Sequence, residues 1–233
     1  MEFLKANWEH LILANYKVPK TILEKYLPSH TFLDDFEGSY YVSVVGFMFK
    51  NTKVMGVKFP YHVNFEEVNL RFYVKDKNGN RGVVFIKEIV PKAAIKIIAN
   101  NLYKEHYSVC KMNHQLCFDS ENLNVKYTWG NKSSKNLIAV KTRIEELELV
   151  ANSKEEFFAE HYFGFTKINK NKTNIYEVKH PKWKHYEVVD YQVQLDFEEN
   201  YGQDFTFLNQ QIADSVFLMK GSEISVNMFN KMR

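Results

Sequence analysis

A mainly β (α+β) fold is predicted for this chain on three observations. Residues Phe65 to Val74 alternate strictly, with Val68, Leu70, Phe72 and Val74 on one face and Glu67, Asn69, Arg71 and Tyr73 on the other, the period of two that a strand imposes. The composition is rich in strand formers, with 14 Tyr, 19 Phe and 3 Trp in 233 residues beside many Val and Ile. Asn78-Gly79 between two apolar stretches is a hairpin turn, because both residues tolerate the positive φ that a tight primed turn requires. A hydrophobic fraction of 45% supports a sizeable core, and the absence of a repeat, a low-complexity tract or a linker predicts one domain over 1–233.

The elements follow in order. Trp8 to Tyr16 is an apolar strand; Pro19 then opens a short helix in which Ile22, Leu23, Tyr26 and Leu27 recur at helical spacing until Pro28 stops it. Asp34 to Gly38 is a turn before a core strand from Ser39 to Phe49, and Lys50 to Pro60, with Asn51, Gly56 and Pro60, reads as a loop. Gly82 to Val90 pairs back on the strand 65–75. Pro91 begins a short buried helix carrying Ala93, Ala94, Ile95, Ile97, Ile98 and Leu102. Tyr107–Met112, Gln115–Phe118, Leu123–Trp129 and Leu137–Arg143 are strands of a meander. Ser153 with Glu156 is a capping box that starts a helix over Lys154–Tyr162, with Phe157, Phe158 and His161 inward. Thr166–Asn169 and Thr173–Val178 form a hairpin, and Tyr186–Phe197 and Ser215–Lys220 close the fold, with Gly221-Ser222 turning into Ile224–Met228.

Charge and composition narrow the function. The 31 basic and 28 acidic residues, net +3, are mixed along the chain, unlike the basic stripe of a nucleic-acid binder. No stretch approaches the roughly 18 apolar residues of a membrane span, and the N-terminus lacks the pattern of a secretory signal, so a cytoplasmic protein with no membrane or nucleic-acid partner is expected. The two cysteines cannot staple a domain of this size, although a hairpin loop at Asn113-His114 would set Cys110 opposite Cys117. There is no glycine-rich phosphate loop, no nucleophile elbow and no metalloprotease histidine pair. The eight histidines are scattered, so no metal and no cofactor is expected.

The residues that invite chemistry are Glu67, Asn69 and Arg71, an acid, an amide and a guanidinium in a row on one strand face. Turned inward, Arg71 can hold a carboxylate bidentately while Glu67 and Asn69 orient it or act as acid and base. The alternative is that Glu67 and Arg71 are tied to neighbouring strands as an internal salt-bridge network.

The ordered set of segments resembles a known family. It comprises Trp8–Tyr16 with the following Leu27-Pro28, Phe36-Glu37-Gly38 leading to Val42 through Phe47, Glu67 through Val74, Leu102-Tyr103 through Tyr107 to Lys111-Met112, Glu160-His161-Tyr162, His180-Pro181 with Trp183, and Ser215 through Val226. Together they are similar to the YqjF-like family of uncharacterised bacterial proteins, within the acetoacetate-decarboxylase-like superfamily. The resemblance implies an antiparallel β-barrel with a central cavity and a few short helices packed outside. It also implies a test of chemistry. Acetoacetate decarboxylases form a Schiff base on a lysine activated by a neighbouring lysine; matched by spacing, that pair falls on Tyr107-Ser108, neither of which can form an imine. The family's arginine falls on Glu9 and one of its glutamates among Val42 and Ser43, whereas the other is retained as Glu67. Lys87 and Lys111 are alternative amines, but neither stands beside a second lysine. The expectation is a cavity without Schiff-base decarboxylase chemistry and with no assigned catalytic residue, whose ligand contacts are Glu67, Asn69, Arg71, Tyr107 and Lys111. Two classes remain open: a protein binding a small keto- or carboxylic-acid metabolite, or a lyase-like enzyme, that uses the barrel cavity, and a non-catalytic structural or interaction protein that uses the barrel for assembly, homo-oligomers included.

Overall fold

The computed structural model describes residues 2–93, 106–130 and 135–228. Among them the chain is mostly strand: β1 (Glu2–Lys17), β2 (Thr31–Leu33), β3 (Tyr41–Val54), β4 (Phe65–Asp76), β5 (Arg81–Val90), β6 (Tyr107–Val109), β7 (Met112–Phe118), β8 (Asn122–Gly130), β9 (Lys135–Glu148), β10 (Phe163–Asn169), β11 (Lys172–Lys179), β12 (Lys184–Gln194) and β13 (Ser215–Met228). The described helices are short: α1 (Lys20–Leu23), α2 (Lys154–Ala159), α3 (Phe197–Tyr201) and a 3-10 helix over Gln203–Gln210. None is long and apolar enough to cross a membrane.

One sheet runs β1-β3-β4-β5-β10-β11-β13, and β13 pairs back onto β1, so this part closes in a ring. From β13 the sheet continues as an arm, β12-β9-β8-β7. Pairing is antiparallel except at β5, which meets β10 and β6 in parallel. The arm lies against the outside of the ring, where Tyr127 and Ile138 reach within 3.1 and 3.2 Å of where a Cβ on Gly46 would stand.

This closure makes two cores from one alternation. On the outer side of the ring Ile12, Val44, Val68, Leu70 and Phe72 join Tyr127, Trp129 and Ile138 of the arm and Phe197 and Phe205 of the C-terminal helices. On the inner side Leu11, Val45, Phe47, Phe49, Phe65 and Tyr73 meet Phe157 and Phe158 of α2, which packs against this core. A strand such as β4 is therefore buried on both faces, and burial of each large apolar side chain is worth about 1.5–3 kcal/mol.

The β4–β5 and β10–β11 hairpins form as the turn residues predict. At the first, the Asp76 carboxylate accepts from the Asn78 and Asn80 amides (2.8 and 2.9 Å) and fixes the loop. Elsewhere tertiary pairing overrides local signals. The loop expected from Lys50 begins later, because β3 continues to Val54 opposite Leu4. The strand β7 runs straight through Asn113-His114; the turn lies after Phe118, where Asp119 accepts from the Glu121 and Asn122 amides (2.9 and 2.7 Å). Cys117 therefore pairs with Asn124 rather than with Cys110, and both thiols are free. Gly221-Ser222 is not a turn: β13 passes through it beside β1, and Gly221, at φ 81°, is the residue that permits this, since a Cβ there would stand 2.0 Å from the Trp8 carbonyl oxygen. The strand expected to reach Phe197 stops at Gln194, and Asp196 caps α3 by accepting from the Glu199 amide (3.0 Å). Helix α1 ends at Leu23, four residues before Leu27, and α2 ends at Ala159, although Ser153 caps it as predicted by accepting from the Glu156 amide (3.1 Å). The helix expected after Pro91 falls largely on 94–105, outside the described residues.

Candidate functional site

Inside the ring lies a cavity of about 90 Å³. Its walls are set by strand parity: Val45, Phe47 and Phe49 face it from β3, Glu67, Asn69 and Arg71 from β4, and Tyr176 and Val178 from β11. Trp8 and Leu11 of β1 complete an apolar portion, and Trp8 packs edge-on against Phe47 at 5.2 Å.

The polar cluster is concentrated on β4 and the elements beside it. Glu67 is 3% exposed; its Oε1 accepts from Asn69 Nδ2 at 3.0 Å and its Oε2 from the Tyr107 hydroxyl at 3.3 Å. Burial pushes its pKa up to about 7, against the opposing pull of those two donors and of the nearby Arg71 charge. Arg71 donates from Nη2 to the Phe158 carbonyl (3.1 Å) at the end of α2, whereas its Nε is buried without a hydrogen-bond partner. The other face of the amide, Asn69 Oδ1, and both ring nitrogens of His161 are likewise buried without a well-formed partner. Burial, with Arg81 and Arg71 nearby, holds the His161 pKa well below its ordinary value, so the imidazole is neutral at pH 7. Unpaired buried polar atoms each cost roughly 1–3 kcal/mol, and four of them on three residues of one cavity wall form a polar surface that the fold itself does not satisfy.

A β-bulge decides which charge β5 contributes. Arg71 is paired with Phe85 and Leu70 with Lys87, leaving Ile86 as an extra residue. Without it the alternation through Val83 and Phe85 would carry Lys87 inward; with it, Lys87 stays outside and donates to the Asn200 carbonyl (2.6 Å), while Glu88, 3% exposed, lines the cavity. A second buried acid thus joins Glu67, and the Tyr107 phenol, whose pKa burial and these two acids push well above the ordinary value, is hydrogen-bonded to both.

Of the residues singled out from sequence, Glu67, Asn69, Arg71 and Tyr107 come together on this cavity. Lys111 does not: it is exposed on a separate open groove with Lys126, Lys135 and Trp129. No lysine is among the described residues that line the cavity. Glu9, where the resemblance puts the family's arginine, pairs with Lys50 at the surface (2.7 Å). Ser43, near the place of the missing glutamate, is buried and bonded to Asn15 and Tyr73 (both 2.5 Å). Sequence reasoning missed Glu88, because a bulge has no local signature in Phe85-Ile86-Lys87-Glu88, and read His161 only as the inner face of a helix.

No group of three or more metal-ligating side chains is found among the described residues.

A ring of this topology around an inward polar wall is the acetoacetate-decarboxylase-like fold. The structure matches an acetoacetate decarboxylase from Legionella pneumophila (TM-score 0.66, 10% identity, 99% of this chain and 87% of that one) and an acetoacetate decarboxylase-like enzyme from Sphingomonas wittichii (0.67, 9%, 100% and 94%). It also matches the enduracididine biosynthesis enzyme MppR in complex with pyruvate (0.65, 8%, 98% and 91%). The chain belongs to the DUF2071 family, described as an uncharacterized conserved protein, which it matches over residues 5–223. No curated protein matches it in sequence.

Proposed function

We propose that this protein binds a small keto- or carboxylic-acid metabolite in the ring cavity, as a single cytoplasmic domain and without Schiff-base decarboxylase chemistry. The observation that carries this reading is the Arg71 guanidinium, whose Nε is buried in the cavity without a hydrogen-bond partner, with the neutral His161 ring, which lacks a well-formed hydrogen bond, lining the same cavity. A ligand carboxylate accepting from the guanidinium converts a buried unpaired donor into a charge-assisted pair, which is worth more in an apolar enclosure than in water. The cavity volume of about 90 Å³ suits a ligand of a few heavy atoms, since by the same measure about 10–15 Å³ already holds one water molecule. A neighbour of the same fold is described with pyruvate bound, which supports a ligand of that size and class. The missing lysine pair argues against an imine, and the Tyr107 phenol that stands in its place hydrogen-bonds Glu67.

The test is a thermal-shift screen of short carboxylic and 2-oxo acids, repeated on Arg71→Ala. A stabilised wild type at 100 times Kd gains about 2.7 kcal/mol; Arg71→Ala should lose most of that gain. Stabilisation by none of the acids, or equal stabilisation of the variant, refutes the reading. Borohydride treatment with pyruvate should leave the protein mass unchanged.

A second reading, that the ring serves assembly with other copies, is favoured by Met55, Val57, Phe59 and Tyr61, large apolar side chains 46–88% exposed in the β3–β4 connection. Light scattering of the wild type and of Tyr61→Glu tests it, since a dimer built on this loop would dissociate in the variant.

A further inference from the structure

We propose that the cavity tautomerises a 2-oxo acid between its keto and enol forms, with the Glu67 carboxylate moving the proton. The inference rests on the small-acid reading above and goes beyond binding to a reaction.

It comes from the mismatch between the wall and a ligand that merely sits there. The anion of a 2-oxo acid in its keto form has acceptors only. Those suit Arg71 Nε, buried and without a partner, and the ring N–H of the neutral His161, whose contact with the Phe158 backbone is not a well-formed hydrogen bond. They do nothing for Asn69 Oδ1, which is itself an acceptor, 2% exposed and unpaired. The enol of the same acid carries one hydroxyl donor, so the amide oxygen is satisfied by the enol and left unpaired by the ketone. An interaction available only after the reaction begins lowers the barrier rather than deepening substrate binding.

Asn69 is also the residue that holds the base. Its Nδ2 donates to Glu67 Oε1 at 3.0 Å, so the carboxylate that would take the proton and the oxygen that would receive the enol hydroxyl are fixed by one side chain. The polar and titratable groups that share the cavity with Glu67 are Asn69 and Arg71 on its own strand, Glu88 from β5, Tyr107 from β6, His161 after α2 and Tyr176 from β11; β3 presents only apolar side chains there. In the step, a C–H bond beside the ketone breaks and an O–H bond forms on Glu67. The C–H electron pair becomes the C=C bond, and the carbonyl π pair moves onto oxygen. Glu67 then passes its proton to that oxygen, and the enol O–H is accepted by Asn69 Oδ1. No oxidant, metal or amine enters the balance. Burial keeps the Glu67 pKa near 7, where a carboxylate is basic enough to remove a carbon-bound proton and is still half ionised at neutral pH.

The experiment is proton NMR of pyruvate in D₂O with the full-length protein, following loss of the methyl signal, with binding measured separately by calorimetry. Wild type should exchange the methyl protons at least about 100-fold faster than Glu67→Gln, which should still bind pyruvate. Asn69→Leu should bind and exchange slowly. The wild-type rate should rise with pH through about 7 and level off, a profile that does not depend on any variant folding. Binding without exchange, exchange unchanged in a folded Glu67→Gln, or a flat pH profile overturns the proposal and leaves the binding reading intact. Absence of binding overturns both. Exchange accompanied by a borohydride-trapped adduct assigns the proton transfer to an imine and overturns the carboxylate route.

Discussion

At the residue scale the most informative side chain is Glu67. Its folded-state pKa, near 7, lies above the ordinary carboxylate value of 4.5, so the folded protein binds more protons than the unfolded chain between those two pH values. Stability therefore falls as pH rises through that window and levels off above it. Glu67→Gln removes the ionisable group while keeping its shape, and should be more stable than wild type above pH 7 by about 3 kcal/mol, with the difference vanishing below pH 4. Urea denaturation at pH 4, 6 and 8 reads this directly, and a constant difference across pH would show that the burial of Glu67 is not what shifts it. The row Glu67, Asn69, Arg71 was legible in the sequence because a strand displays its periodicity openly. What periodicity cannot say is whether the polar face of a strand looks at water or into a ring, and only closure of β13 onto β1 decides that.

At the element scale the ring has a weak point where β5 meets β10. The two strands share only Phe163 opposite Gly82 and Gly164 opposite Val83. Gly82 is needed for the approach, since a Cβ on it would stand 2.3 Å from the Phe163 carbonyl oxygen, whereas Gly164 serves the pairing of β10 with β11, where its Cβ would stand 2.1 Å from the Tyr176 ring. The Phe163 backbone cannot move away from a Cβ on Gly82 without opening the seam. Gly82→Ala should cost about 3 kcal/mol, the upper part of the range for forced overpacking, and should speed amide hydrogen exchange in β10 more than in β3. Equal exchange in both strands would mean that the seam is not a separate weak point. In the sequence Gly82 reads as the end of a hairpin turn, so its second role is invisible until a strand 80 residues away is brought beside it. The same reason explains Asn113-His114 and Gly221-Ser222: each looks like a turn locally, and each is held straight by the strand it pairs with.

At the scale of the whole molecule, one alternating pattern serves two cores. The outer one, with Val68, Leu70 and Phe72, is apolar throughout and packs against the arm and the C-terminal helices; the inner one is apolar at Phe47, Phe49 and Phe65 and polar where β4 turns Glu67, Asn69 and Arg71 toward the cavity. The mainly β composition was readable from the abundance of aromatic residues, but the division into an inner and an outer layer was not, because both layers draw on the same residue types. The arm also explains why the N-terminal half is so apolar on both sides, since its strands have no solvent face to provide for.

The bulge in β5 has a consequence for how this wall can change in length. Ile86 faces the outer core and has no partner on β4, so β5 carries one residue more than its register needs. Deleting Ile86 would leave Phe85 opposite Arg71 and Lys87 opposite Leu70 as they are now, with Glu88 still inward. The spare residue thus buffers the cavity against an insertion or deletion on its outer side. A variant lacking Ile86 should lose about 1–3 kcal/mol of stability from the emptied outer core and retain the pyruvate affinity of the wild type in calorimetry, whereas loss of affinity would show that the bulge itself positions Glu88.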